Sequence, residues 1–124
     1  MGFDKDERKN EFMKNEELSE DALALIANRF RLLGDPMRLK ILHTLGKSEM
    51  NVGELVGATK AGQANISKHL GTMLEAGIVS RRKEGLNAYY RVSDETIFEL
   101  CDVVCLQLKD QFESRRSALA GILS

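Results

Sequence analysis

"GQANISKHLGTMLEAGIVSRRKEGLNAYYRV", residues 62–92, carries two hydrophobic periods in succession. Up to Gly77 the apolar residues Ile66, Leu70, Met73 and Leu74 recur at helical spacing, and Gly77 is a natural helix stop. Beyond it the period falls from 3.6 to 2. "IVSRRK" and "AYYRV" are short strands rich in Ile, Val and Tyr, joined by "EGLN" with its turn glycine and asparagine. A helix thus runs into a β-hairpin that carries Arg81, Arg82 and Lys83.

What precedes this stretch is helical. Ser19 offers an N-cap, with Glu20 and Asp21 in the first turn, and Leu18, Ala22, Leu25, Ile26, Arg29, Phe30 and Leu33 follow at helical spacing up to Gly34. Asp35–Pro36 starts a second helix, with the aspartate as cap and the only proline at the first helical position. That helix should bury Met37, Leu39, Ile41 or Leu42, and Leu45, and stop at Gly46. "MNVGELVGA" reads as a short third helix. After the hairpin, Ser93 and Asp94 cap a last long helix with Phe98, Cys101, Cys105, Leu108 and Phe112 in one stripe. The first 17 residues are charged and aperiodic, which reads as a flexible N-terminal arm, and residues 18–122 as one domain.

Composition agrees with a mainly α chain bearing a small β-hairpin. At 124 residues, with 43% hydrophobic and 30% charged residues, the chain can bury one core without disulfides. A single proline and no tryptophan disfavour a β-sandwich. No apolar run approaches the ~18 residues of a membrane span, and "MGFDKDERKNEF" is too polar for a signal peptide. The expected location is cytoplasmic, where the two cysteines stay reduced.

The net charge of −1 hides an uneven distribution. From Lys60 to Arg91, six basic residues face two acidic ones, a local balance of +4, while residues 1–30 and 92–124 each carry −3. A phosphate backbone requires this kind of concentrated footprint.

Three short helices followed by a cationic ribbon is the order of a winged helix-turn-helix. Its second turn-forming helix must keep one face in the core and show small or polar groups to base edges. In "GQANISKHL" the residues Gln63, Ala64, Ser67 and Lys68 alternate with buried Ile66 and Leu70. No bulky apolar side chain blocks entry into a groove about 12 Å wide. Gln63 suits an adenine edge, Ser67 a base or phosphate, and Lys68 a phosphate or guanine. Arg81, Arg82 and Lys83 suit the adjacent backbone or minor groove. A winged helix that binds only protein partners is the rival reading, and the local positive charge counts against it. His43 and His69 fall on separate helices with no cysteine, serine or carboxylate constellation around either, so each reads as a packing or capping histidine and catalysis is not expected.

"LLGDPMRLKILHTL", "VGELV" and "QANISKHLGTMLEAGIVSRRKEGLNAYYRV" resemble the ArsR/SmtB family of bacterial winged-helix repressors, over roughly residues 20 to 110. The resemblance implies a homodimer built from the first and last helices, and a repressor bound to a palindromic DNA operator until an inducer releases it. It places DNA contacts on Gln63, Ala64, Ser67 and Lys68. Gly62 departs from the serine or threonine cap usual in the family. The family's early-helix thiolate positions fall on Asn51 and Gly53, and its last-helix zinc positions on Asp94, Thr96, Gln107 and Asp110, which lack histidine. Zinc sensing is not expected.

Cys101 and Cys105 remain. An i, i+4 pair shares one helix face, the one expected to meet a partner helix. It reads either as small apolar filler or as a thiol sensor for a soft metal or metalloid ion, an oxidant or a sulfur species. No cofactor is otherwise implied, and any metal would have to use these two thiols. Without a thiol sensor, the regulator would answer to another ligand or to protein partners alone. Leu108 and Phe112 have no evident core to fill and are expected at a two-fold interface.

Overall fold

The computed structural model describes residues 18–123, so the proposed N-terminal arm lies outside the described residues. The elements run α1 (Glu20–Leu33), α2 (Pro36–Leu45), β1 (Met50–Asn51), α3 (Val52–Thr59), α4 (Gln63–Glu75), β2 (Val79–Glu84), β3 (Asn87–Val92) and α5 (Thr96–Leu123). The expected mainly α winged helix-turn-helix is present.

Local chemistry sets the helix starts. Ser19 accepts from the Ala22 N–H at 3.1 Å, and Asp35 accepts from the Met37 and Arg38 N–H groups at 2.8 and 3.1 Å, with Pro36 needing no partner. The first turn of α4 has no such help, because its cap is Gly62. Its other end is fixed by a Schellman motif: the Ile78 N–H donates to Met73 O at 2.9 Å and Gly77, at φ +77°, donates to Leu74 O at 3.1 Å. Met73 and Ile78 are fully buried, which supplies the apolar contact of that motif.

Two expectations need correcting. Met50 and Asn51 are not helical: they pair with Tyr90 and Tyr89, so the sheet has three strands in the order β1-β3-β2 rather than a bare hairpin. The third helix starts at Val52, where Asn51 and Glu54 form a capping box. The position that could have held a family thiolate is thus a helix cap. The hairpin turn is Gly85–Leu86, with glycine at φ +61° in the first central position, as a type II′ turn needs.

The core lies between α2, α3, α4 and the root of the sheet. Ile41, Leu42, Leu55, Ile66, Leu70 and Met73 are fully buried there, so cutting any of them to alanine should cost ~2–5 kcal/mol. Both Ile41 and Leu42 are inside, whereas Met37 and Leu39 are half-buried. The flanking helices behave differently. In α1 only Leu33 is buried, while Leu25 and Phe30 are 72% and 55% exposed. In α5 only Ile97 is buried, and every residue from 102 to 121 is exposed.

Candidate DNA-binding surface and thiol groove

α4 divides into two faces. Ile66, His69, Leu70 and Met73 point into the core. Gln63, Ala64, Ser67 and Lys68 are all exposed, on a helix whose first turn offers no bulky apolar side chain. The preceding turn is held tightly: Lys60 adopts φ +63° at the end of α3, and the Ala61 N–H donates to Thr59 Oγ1 at 3.3 Å. A short turn and one polar helix face together let α4 protrude towards a groove.

The wing sorts its three cations. Val79 at the root of β2 is buried, so alternation puts Arg81 and Lys83 on its side of the ribbon and Arg82 on the other. Neither Arg81 nor Lys83 forms an ion pair among the described residues. Arg82 is fully engaged. It donates to both Glu49 oxygens, at 2.5 and 3.3 Å, and to Glu84 at 2.7 Å, with its guanidinium 4.9 Å from the Tyr89 ring centroid. The hydrogen bonds from Arg82 hold the Glu49 carboxyl below the usual carboxylate range, and Glu49 and Glu84 in turn push the guanidinium pKa up. Leu86 stands fully exposed at the wing tip.

His69 was expected to lack a carboxylate neighbour, and that is corrected. Its ring lies buried with Asp35 Oδ1 at 3.9 Å from Nε2 and Arg38 Nη1 at 3.3 Å from Nδ1. The Arg38 and Met37 N–H groups, then the charge of Arg38, lower the Asp35 pKa. The arrangement caps α2 and braces α4 but faces no open site. His69 falls three residues after Ile66 on the core face, which was the signal in the sequence for its burial.

His43 was expected to have no cysteine, serine or carboxylate constellation around it; it shares a groove lining with the two cysteines but contacts Phe98 and Leu39 O. Phe30, Leu39, His43, Cys101, Cys105 and Leu108 line an apolar groove of about 500 Å³ between α1, α2 and α5. The His43 ring meets Phe98 edge-on at 5.5 Å, and its Nδ1 bonds Leu39 O at 2.9 Å. Cys101 is half-buried and Cys105 exposed. Burial, and then the charge of Asp102, push the Cys101 thiol pKa up. Leu108 and Phe112 are 49% and 71% exposed. Among the described residues no three His, Cys, Asp or Glu side chains are placed to hold a metal ion. Asp94, at one of the family's zinc positions, instead accepts from the Thr96 hydroxyl and N–H at 2.7 and 2.9 Å, which lowers its pKa.

This architecture has known counterparts. A family model described as bacterial regulatory protein, arsR family, matches residues 35–81. The biofilm growth-associated repressor of Xylella fastidiosa is 33% identical over 88 residues, covering 68% of this chain and 77% of that one. The chain belongs to the arsR family of bacterial regulatory proteins. Like other arsR-family proteins it is a DNA-binding transcriptional regulator and not an enzyme. The regulator KmtR of Mycobacterium tuberculosis is 31% identical over 83 residues; the match covers 67% of this arsR-family chain and 64% of KmtR. The homodimeric winged helix-turn-helix domain of Mb0332 from Mycobacterium bovis superposes with a TM-score of 0.64 at 26% identity, over 77% of this chain and 91% of that one. No helix among the described residues is long and apolar enough to cross a membrane.

Proposed function

We propose that this chain is a cytoplasmic operator-binding repressor that acts as a two-fold dimer and leaves DNA when Cys101 and Cys105 are modified. The carrying observation is the exposed face of Gln63, Ala64, Ser67 and Lys68, backed by the buried Ile66, Leu70 and Met73 and flanked by the cations Arg81 and Lys83, which form no ion pair among the described residues. In this reading the helix reads base edges in the major groove and the wing touches phosphate. Dimerisation is supported by the exposed apolar residues of α1 and α5, Leu25, Phe30, Leu108 and Phe112 among them, and by the homodimeric state of Mb0332. A two-fold dimer calls for a palindromic operator with half-sites about one helical turn apart.

The thiol reading rests on where the cysteines lie. Cys101 and Cys105 share a groove with α1 and α2, next to the exposed apolar stripe of α5. A group added there pushes on the elements that would carry the dimer. One protomer has only two thiols, so a three-thiolate metalloid site needs a thiolate from the second subunit. Covalent thiol chemistry by oxidants or sulfur species needs none. The test is a gel shift of the reduced protein on duplex DNA across salt concentrations, with and without thiol-reactive agents. Salt-dependent binding that the agents abolish supports the proposal. No binding to any duplex overturns it, and binding indifferent to the agents removes the thiol part.

A further inference from the structure

Arg82 is the best-held side chain of the wing. Its contacts come from three directions: Glu49 just before β1, Glu84 at the end of its own strand, and the Tyr89 ring beside it on β3. Register explains the alignment. Arg82 pairs with Tyr89, which pairs with Asn51, so the guanidinium reaches across the middle strand to the chain entering β1. All of this lies on the face opposite Val79, Arg81 and Lys83. Tyr90, on the Val79 face, packs against the core instead.

We infer that Glu49 is a positioning residue for DNA binding: it holds Arg82 on the outer face of the sheet, so that the wing presents Arg81 and Lys83 to phosphate and withholds its middle cation. An isolated exposed ion pair would do little. Here bidentate geometry, a second carboxylate and a ring face act on one guanidinium, and each narrows its freedom to swing round the ribbon. The clamp sets the wing's charge as well as its pose, since the two carboxylates offset the arginine they hold.

The measurement is the slope of log K against log salt for the full-length protein on one duplex, because that slope counts phosphate contacts at about 0.9 each. The inference rests on the wing lying on DNA, which Arg81→Gln reports separately. That variant should flatten the slope by about 0.9; an unchanged slope overturns the reading of the wing and the clamp with it. Arg82→Gln should leave the slope as in wild type. Glu49→Gln should steepen it by about 0.9, equivalent to an eightfold or so affinity gain at 0.1 M relative to 1 M salt. Glu49→Gln combined with Arg82→Gln should lose that gain. A flatter slope in Arg82→Gln alone shows that Arg82 already touches DNA and overturns the clamp. So does a gain in Glu49→Gln that survives the loss of Arg82, which would trace to the missing negative charge alone. Weaker binding by Glu49→Gln would overturn it too.

Discussion

Arg38 of α2 donates through Nη1 to Nδ1 of His69 on α4 at 3.3 Å, and through Nε to Leu32 O at the end of α1 at 2.6 Å. One guanidinium thereby ties the last turn of the first helix to the middle of α4. Because arginine only donates, His69 accepts at Nδ1 and carries its proton on Nε2, towards Asp35.

Removing that brace should cost stability before it costs recognition. His69→Ala leaves Arg38 without its buried acceptor and opens space beside Leu70. We expect a loss of ~1–3 kcal/mol in urea unfolding. His69→Gln, which keeps an acceptor, should recover part of it. Equal losses in both would show that ring packing, not the hydrogen bond, matters.

On the exposed face of α4 the order reverses. Ser67→Ala should weaken operator binding by ~1–3 kcal/mol with no change in unfolding midpoint. Lys68→Ala should flatten the salt slope by about 0.9. If Gln63→Ala/Ser67→Ala binds its operator as wild type does, another face reads the DNA.

Leu108 stands 49% exposed on α5, at the groove it lines with Phe30 and His43. Leu108→Glu should shift the protein towards monomer in sedimentation and lower operator affinity in parallel, since a charge cannot be buried there unpaired. A wild type that sediments as a monomer at micromolar concentration contradicts the interface.

The cysteines should differ in chemistry. The Cys101 thiol pKa is raised, so its thiolate fraction, and with it its alkylation rate, should keep climbing at pH above the ordinary thiol range. Because Cys105 is exposed and Cys101 half-buried, alkylation followed by peptide mapping should label Cys105 first at neutral pH. Replacing both by serine should leave operator affinity intact and abolish the response to thiol agents. A retained response would leave the pair as filler in the interface.

Most of the frame was legible because it is written locally. Asp35–Pro36, the Gly77 stop and the change of period after it are signals within a few residues of the structure they cause. Met50–Asn51 escaped because two residues show no periodicity, and their strand exists only through pairing with Tyr90 and Tyr89 some 38 to 40 positions later. The same distance hid the partners of the charged residues. Glu49 lies 33 residues before Arg82, and Arg38 lies 31 before His69. That Gln63, Ala64, Ser67 and Lys68 are exposed could be read because a helix face follows from spacing alone. Which of the three wing cations was already occupied could not.

The Schellman turn at Gly77 has a mechanical consequence. Its hydrogen bonds pass directly from the last turn of α4 to Ile78, and Val79 begins the wing with no linker between them. α4 and the wing are therefore joined without a break, like the head of a key cut with its blade. Under the proposed function, an inducer would find no linker there to loosen and would have to move α4 and the wing together. In the proposed dimer, two such keys turned out of phase would no longer match half-sites set one helical turn apart.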